Sequence, residues 1–432
     1  LNNVTGIDRR RAAFGIGVLG ALALSRWLIA PKYLYYFDNV NFALALERFD
    51  PSAHQPQPPG YPLFVLLSRI LHVAFPVREA FLCAGLLAAA ASLALLWLLV
   101  RRMLGERAAA FSILTLLFLP AMWLGGITHQ VRVFLAAGAL GVAYCCWRAV
   151  SPRPDRNWFL GAAATLGLAA GFRPDLPIYL TPLLVWTGWR GRFSWKTCVI
   201  AAILLPATAA LWLPYTVLAS GGVARYLELI QRYSHDEFSA SSAMFGAAVR
   251  PALRMARMAL VWTGLGVPAW IWAAPYAWKS GAYKGKREAW LFLLVLFVPG
   301  YLFLSLVHVG DPDQTLVVAP AIAILSGWTL SALATTRRRA QAAVVAVVLV
   351  SFVVFFRPLR GIASASGYPA VRKVDEQTQA AFEAIWSLSE KQPNTVLVSF
   401  QSLITYRHLS YYFRDLPLLV LREDPRKAAD AG

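Results

Sequence analysis

Apolar runs of roughly 15 to 22 residues, each close to the length of an α-helix that crosses the hydrocarbon core of a bilayer, alternate with short clusters of arginine and lysine along most of the chain. The basic clusters lie at 9–11, 101–107, 148–156, 190–196, 279–287 and 337–339. Loops this basic stay on the cytoplasmic side, so every stretch between two clusters crosses an even number of times and its midpoint faces outward. The pattern predicts about eleven transmembrane helices, near 12–30, 79–100, 108–124, 131–149, 157–171, 175–189, 198–217, 257–278, 289–307, 314–333 and 341–356. The N-terminus is then cytoplasmic and the C-terminus outside.

Two segments depart from simple crossings. Residues 61–76 are apolar but short, carry Arg69 and His72, and end in proline. If they crossed, Arg101 and Arg102 would face outward, so they are expected to lie on the outer surface, within an extracytoplasmic loop spanning 31–78. The spans 157–171 and 175–189 are short for a bilayer, which places the connecting Gly171-Phe172-Arg173-Pro174-Asp175 in a recess below the outer surface. Irregular backbone and charge at that depth need a protein-lined cavity. Past residue 356 the texture changes: helical spacing over 375–390, a β-rich run at 395–400, an aromatic amphipathic stretch at 403–413 and a second strand at 416–421. The expected organisation is a transmembrane domain, 1–356, and a small extracytoplasmic α/β cap, 357–432.

Composition supports an all-α polytopic membrane protein: 58% of the 432 residues are hydrophobic and the mean hydropathy is +0.54. The net charge of +19 is divided among short loops, where topology and anionic headgroups account for it, and nucleic acid is not an expected partner. The four cysteines fall inside predicted spans, which fits free buried thiols. The triple arginine at 9–11 followed by an apolar run copies a secretory signal in outline. The run resumes after Arg26 through Ala30, so a retained signal anchor is expected.

Ionisable groups concentrate in the outer loops: Asp38, Asp50, His54, His129, Arg132, Arg173, Asp175, His235, Asp236, Glu237, His308, Asp311 and Asp313. An ion-coupled transporter would instead bury such groups near mid-bilayer, so an outward-facing enzyme fits better than a flippase. The most specific text is Tyr35-Tyr36-Phe37-Asp38-Asn39-Val40-Asn41 followed by His54-Gln55-Pro56-Gln57-Pro58-Pro59-Gly60-Tyr61-Pro62. It resembles the GT-C superfamily of membrane glycosyltransferases, in particular the bacterial branch related to protein O-mannosyltransferases and lipid A aminoarabinose transferases. The resemblance extends to the long first loop, the basic inner loops, the Gly171–Asp175 turn, the turn after a late helix at His308 and the soluble tail.

That resemblance implies a bacterial inner-membrane enzyme with the GT-C fold. Its donor would be a sugar on a polyprenyl phosphate in the outer leaflet, and its acceptor an extracytoplasmic glycan, lipid or protein. Asp38 matches the family's loop aspartate, a general base or substrate-orienting carboxylate. Many relatives carry a second acid beside it, whereas this chain has Asn39, which weakens a metal-assisted site; a divalent cation stays open as a cofactor. For the displacement itself, one carboxylate must take a proton and cations must hold the phosphate. Arg173 is the first candidate for phosphate, followed by Arg132, His308, His54 and Asp175 as substrate- or phosphate-binding residues. Blander roles stand beside these. Asp38 could cap the following helix, Arg173-Pro174-Asp175 could be a local ion-paired turn, and His54 could be structural. His129 and Arg132 could be interfacial anchors, residues 235–237 read as solvated loop, and Asp311-Pro312-Asp313 as a turn. A ligase moving a preassembled polymer, or a silent scaffold, are the remaining alternatives to an enzyme of this kind.

Overall fold

The computed structural model describes residues 2–392, 394–399 and 406–421. In chain order the helices are α1 (Asn2–Trp27), α2 (Phe37–Glu47), α3 (Pro62–His72), α4 (Val77–Leu104), α5 (Glu106–Phe118), α6 (Pro120–Ile127) and α7 (Val133–Val150). They continue as α8 (Arg156–Ala169), α9 (Leu176–Arg190), α10 (Trp195–Ala209), α11 (Leu213–Ala219), α12 (Val223–Phe238), α13 (Val249–Gly264), α14 (Ala274–Lys279), α15 (Arg287–Leu306), α16 (Ala319–Leu333) and α17 (Arg337–Phe356). The tail adds α18 (Tyr368–Lys391), β1 (Leu397–Ser399), α19 (Tyr406–Tyr412) and β2 (Leu418–Val420).

Among the described residues four helices, α4, α7, α15 and α17, are long and apolar enough to cross a membrane, and six crossings result if each of two bent pairs counts as one. The protein is a multi-pass membrane protein. The sequence pattern predicted straight spans where the chain breaks. Residues 108–124 form α5 and α6, bent by 53°, and 198–217 form α10 and α11, bent by 45°. Pro120 opens α6 and Pro214 stands in the first turn of α11; proline removes a helical donor and clashes with the preceding turn. The expected span 257–278 is likewise interrupted: α13 starts earlier, at Val249, and ends at Gly264, before a short 3-10 turn and α14. Gly264, Gly266 and Pro268 supply that break.

Small residues let the helices approach closely. A Cβ on Gly327 of α16 would clash with the carbonyl oxygen of Ala108 on α5, and the adjacent Ser326 shares with Thr115 of α5 a hydroxyl hydrogen bond of 2.6 Å. Backbone contact of this kind is how helices associate where solvent gives no hydrophobic drive.

In the tail, β1 and β2 pair in parallel with Leu397 opposite Leu418. Phe400 and residues 403–405, parts of the expected strand and amphipathic stretch, lie outside the described residues. Phe382, Leu397, Leu409 and Phe413 form a small core that Tyr33 joins from the first loop. The tail thereby grips the chain just ahead of α2. Asp375 accepts from the Lys32 and Tyr33 amides at 2.9 and 3.2 Å. The Tyr412 hydroxyl accepts from the Leu34 amide at 3.0 Å, and Arg414 forks onto Glu47 at the far end of α2.

Candidate active site

Asp38 sits in the first turn of α2, where a carboxylate is favoured by the helix dipole. Its side chain makes no capping bond, since the N-cap is Tyr36. It faces Arg132 instead: Nη2 lies 4.0 Å from Asp38 and donates to Asp311 at 3.0 Å. Arg132 is placed by the turn between α6 and α7 and is almost fully buried. Asn39 is fully buried and donates to the carbonyl of Thr128 in that same turn. It acts as a strut between α2 and the segment that holds Arg132.

The proline-rich stretch folds back beneath this pair. Asp50 caps the 3-10 turn Pro51–Ala53, and Gly60 takes a φ of +117° that brings its Cα against Thr216 of α11. Tyr61 then presents its ring to Arg173, whose guanidinium carbon lies 5.6 Å from the ring centre. Arg173 is 5% exposed and forks onto Asp175 at 3.0 and 2.5 Å, while the Tyr179 hydroxyl donates to the same carboxylate at 2.9 Å. The turn that carries them is locked by the Leu63 amide, which donates to Gly171 at 3.0 Å, and by Phe172 stacked on Phe134.

These elements enclose one cavity of about 550 Å³ lined by Asp38, Arg132, Arg173, Asp175 and His308, within the usual range for small-molecule sites. His54 is not in its lining; its ring stands 6.4 Å from Tyr233, and Asp50 bridges to the neighbouring Gln55, so it belongs to the outer side of the proline-rich loop. Sequence reasoning missed the opposite wall. Tyr226, Ile230, Tyr233, Glu237 and Phe238 of α12 line the cavity, and Tyr226 donates to the carbonyl of Pro59 at 3.0 Å. Glu237, expected in a solvated loop, stands at the cavity mouth. The signal was present as a helical repeat at 226, 230, 233 and 237.

Burial sets the protonation states. Asp38 is pushed up to about 6, first by burial, with Arg132 opposing and Asp311 and Glu237 adding to the rise. Asp313, fully buried with neither carboxylate oxygen hydrogen-bonded, is pushed up to about 7 by burial and by Asp311, against Arg132. Burial and the two arginines hold His308 down at about 4, so near neutral pH it is an uncharged donor or acceptor. Asp175 stays below its ordinary value: burial raises it, and Arg173 together with its hydrogen bonds outweighs burial. Arg132 keeps its charge because Asp313, Asp311 and Asp38 outweigh its own desolvation. Among the described residues no three histidine, cysteine or acidic side chains converge to hold a metal ion; the acids here face Arg132.

A bundle of broken and unbroken membrane helices, with a polar cavity at one end under a long first loop, has the GT-C membrane fold. The family model described as dolichyl-phosphate-mannose-protein mannosyltransferase matches residues 57–219. The fold is similar to that of ArnT from Cupriavidus metallidurans bound to undecaprenyl phosphate, at 16% identity and a TM-score of 0.62, covering 97% of this chain and 87% of that one. The apo form of the same protein superposes with a TM-score of 0.59 at 15% identity, over 97% and 86% of the two chains. No curated protein matches the sequence.

Proposed function

We propose that the protein transfers a sugar from a polyprenyl-phosphate donor to a hydroxyl or amine of an extracytoplasmic glycan, lipid or protein, with inversion at the anomeric carbon. The observation that carries this reading is the shared wall: Asp38, Arg132 and Arg173 line a single cavity. The fold likeness to a protein captured with undecaprenyl phosphate supports the donor class. A cytoplasmic N-terminus, with the cavity and tail outside, is our reading of the basic loops, and the bacterial inner membrane rests on the family resemblance.

In the step proposed, the acceptor oxygen or nitrogen attacks the anomeric carbon. The bond from that carbon to the phosphate oxygen breaks, the polyprenyl phosphate leaves with the electron pair, and the acceptor proton passes to Asp38. A carboxylate titrating at about 6 is ionised at neutral pH yet basic enough to take that proton. Arg132 Nη1 has no hydrogen-bond partner and is the open donor for a phosphate oxygen. Arg173 holds its charge next to Asp175 and supplies the second cation. Neutral His308 can donate one N–H to the same phosphate.

Binding of undecaprenyl phosphate and of acceptor to Arg173→Ala tests the assignment. Loss of a charge-assisted contact predicts donor affinity about ten- to a hundredfold weaker, with acceptor affinity unchanged. Equal donor affinity in the variant and the parent would make Arg173 a purely structural member of its turn.

A further inference from the structure

The seam between α9 and α15 is open to the membrane along its length. At its middle, an apolar groove of about 600 Å³ runs past Val185, Leu294 and Val298 to Trp189. Trp189 is shared with a second cavity of about 690 Å³ at the end of the seam, lined by Arg190, Arg192, Arg287 and Glu288. Apolar groove and basic cavity therefore adjoin at Trp189. Trp189 and Trp195 flank the basic end with 73% and 72% of their surfaces exposed, as aromatic residues do at headgroup level.

The basic end is preorganised. Arg190 pairs with Glu288, tying α9 to α15, while Arg192 is held in the left-handed region at φ 50°, a conformation that costs energy for a residue with a side chain. The turn that imposes it is closed by the Phe193 amide on Gly188 at 3.2 Å and by Phe193 stacked on Phe159. Three arginines against one glutamate leave this cavity a net positive charge of two (3 − 1 = 2). The opposite ends of the same two helices, at Tyr179 and Phe303, line the cavity that contains Asp38. The 20 residues of α15 span about 30 Å, one hydrocarbon thickness, so the two cavities lie at opposite membrane surfaces.

We propose that the α9–α15 seam binds an anionic phospholipid, its acyl chain in the apolar groove and its phosphate between Arg192 and Arg287. Charge, depth and shape all fit that occupant: basic pockets between transmembrane helices on the cytoplasmic side recognise such headgroups. The site is separate from the proposed transfer chemistry, and its test does not depend on activity.

Native mass spectrometry of the full-length protein, with phosphatidylglycerol and phosphatidylcholine added in turn, measures the site directly. Phosphatidylglycerol is expected to bind more tightly than phosphatidylcholine. Arg192→Ala/Arg287→Ala should weaken it about thirtyfold, each arginine being worth about 1 kcal/mol at such a surface, while Arg192→Lys/Arg287→Lys keeps most of the affinity. Should the double alanine variant not fold, Arg287→Gln alone, at an exposed helix start, is expected to cost about fivefold. Equal affinity for the two lipids, or unchanged affinity in the neutral variants, overturns the proposal. So does displacement of phosphatidylglycerol by undecaprenyl phosphate at equal concentration, which would give the seam to the donor lipid.

Discussion

Asp38 and Asp313 bind protons more tightly folded than unfolded, because their environment raises them from 3.8 to about 6 and about 7. A raised carboxyl is ionised first in the unfolded chain, so the contribution of these two acids to stability is greatest below about 4 and declines as pH rises through those values. Asp175 works the other way: its contribution is present above its unfolded pKa and is lost on acidification. Burial holds His308 and His129 down at about 4 and about 3, so these two add stability as pH rises toward 6.5 and offset much of the loss from the two acids between pH 5 and pH 8. Asp313→Asn removes one declining contribution, so its Tm should exceed the parent's by about 2–4 °C at pH 8 and by little at pH 5, measured by thermal unfolding in detergent; an equal difference at both pH values would remove Asp313 as a titrating group. Transfer rate should rise with pH to a plateau above about 6 as Asp38 ionises. Asp38, Arg132, Arg173, Asp175 and His308 could all be singled out from the sequence, Asp38 through its family resemblance and the others as charged or polar groups at the outer ends of helices, and all five line the cavity. The state of each was not legible, since burial of Asp38 against Arg132 depends on contacts 94 residues apart along the chain (132 − 38 = 94).

Each element that builds the cavity is held by one or two local devices. Gly60 is the clearest: at φ +117°, with a Cβ only 2.6 Å from Thr216 Cγ2, no other residue fits. Gly60→Ala is expected to cost about 1–3 kcal/mol and to lower Tm and activity together. Trimming Thr216 to serine in that background should recover only the steric part; full recovery would show that the backbone conformation carries no cost. Helix α12 was the element least visible in advance. Its charged residues suggested a solvated loop, yet its aromatic face repeats with helical spacing and the Tyr226 hydroxyl ties it to Pro59. The broken helices were hidden for a related reason: hydropathy sums apolar residues without regard to Pro120 or Pro214, whereas the backbone bends at α5–α6 and α10–α11.

Across the whole molecule, the tail and the first loop behave as one unit around Asp38. Asp375, Tyr412 and His408 hold the backbone of residues 32–34, and Arg414 holds Glu47, so both ends of α2 are fixed from the tail. Arg414→Ala is expected to lower the transfer rate several-fold while leaving donor affinity alone, because it loosens α2 and not the arginines. A loss of donor affinity of similar size would instead make the tail part of the binding site. The tail's α/β texture was readable from its change of periodicity, but its role was not, since these contacts join residues more than 300 positions apart. The measurement that tests the central claim most directly is single-turnover transfer from a polyprenyl-phosphate sugar by Asp38→Asn, with undecaprenyl phosphate binding measured on the same sample. The account predicts transfer reduced by at least about 10²-fold with the lipid still bound; near-normal transfer by that variant would contradict it.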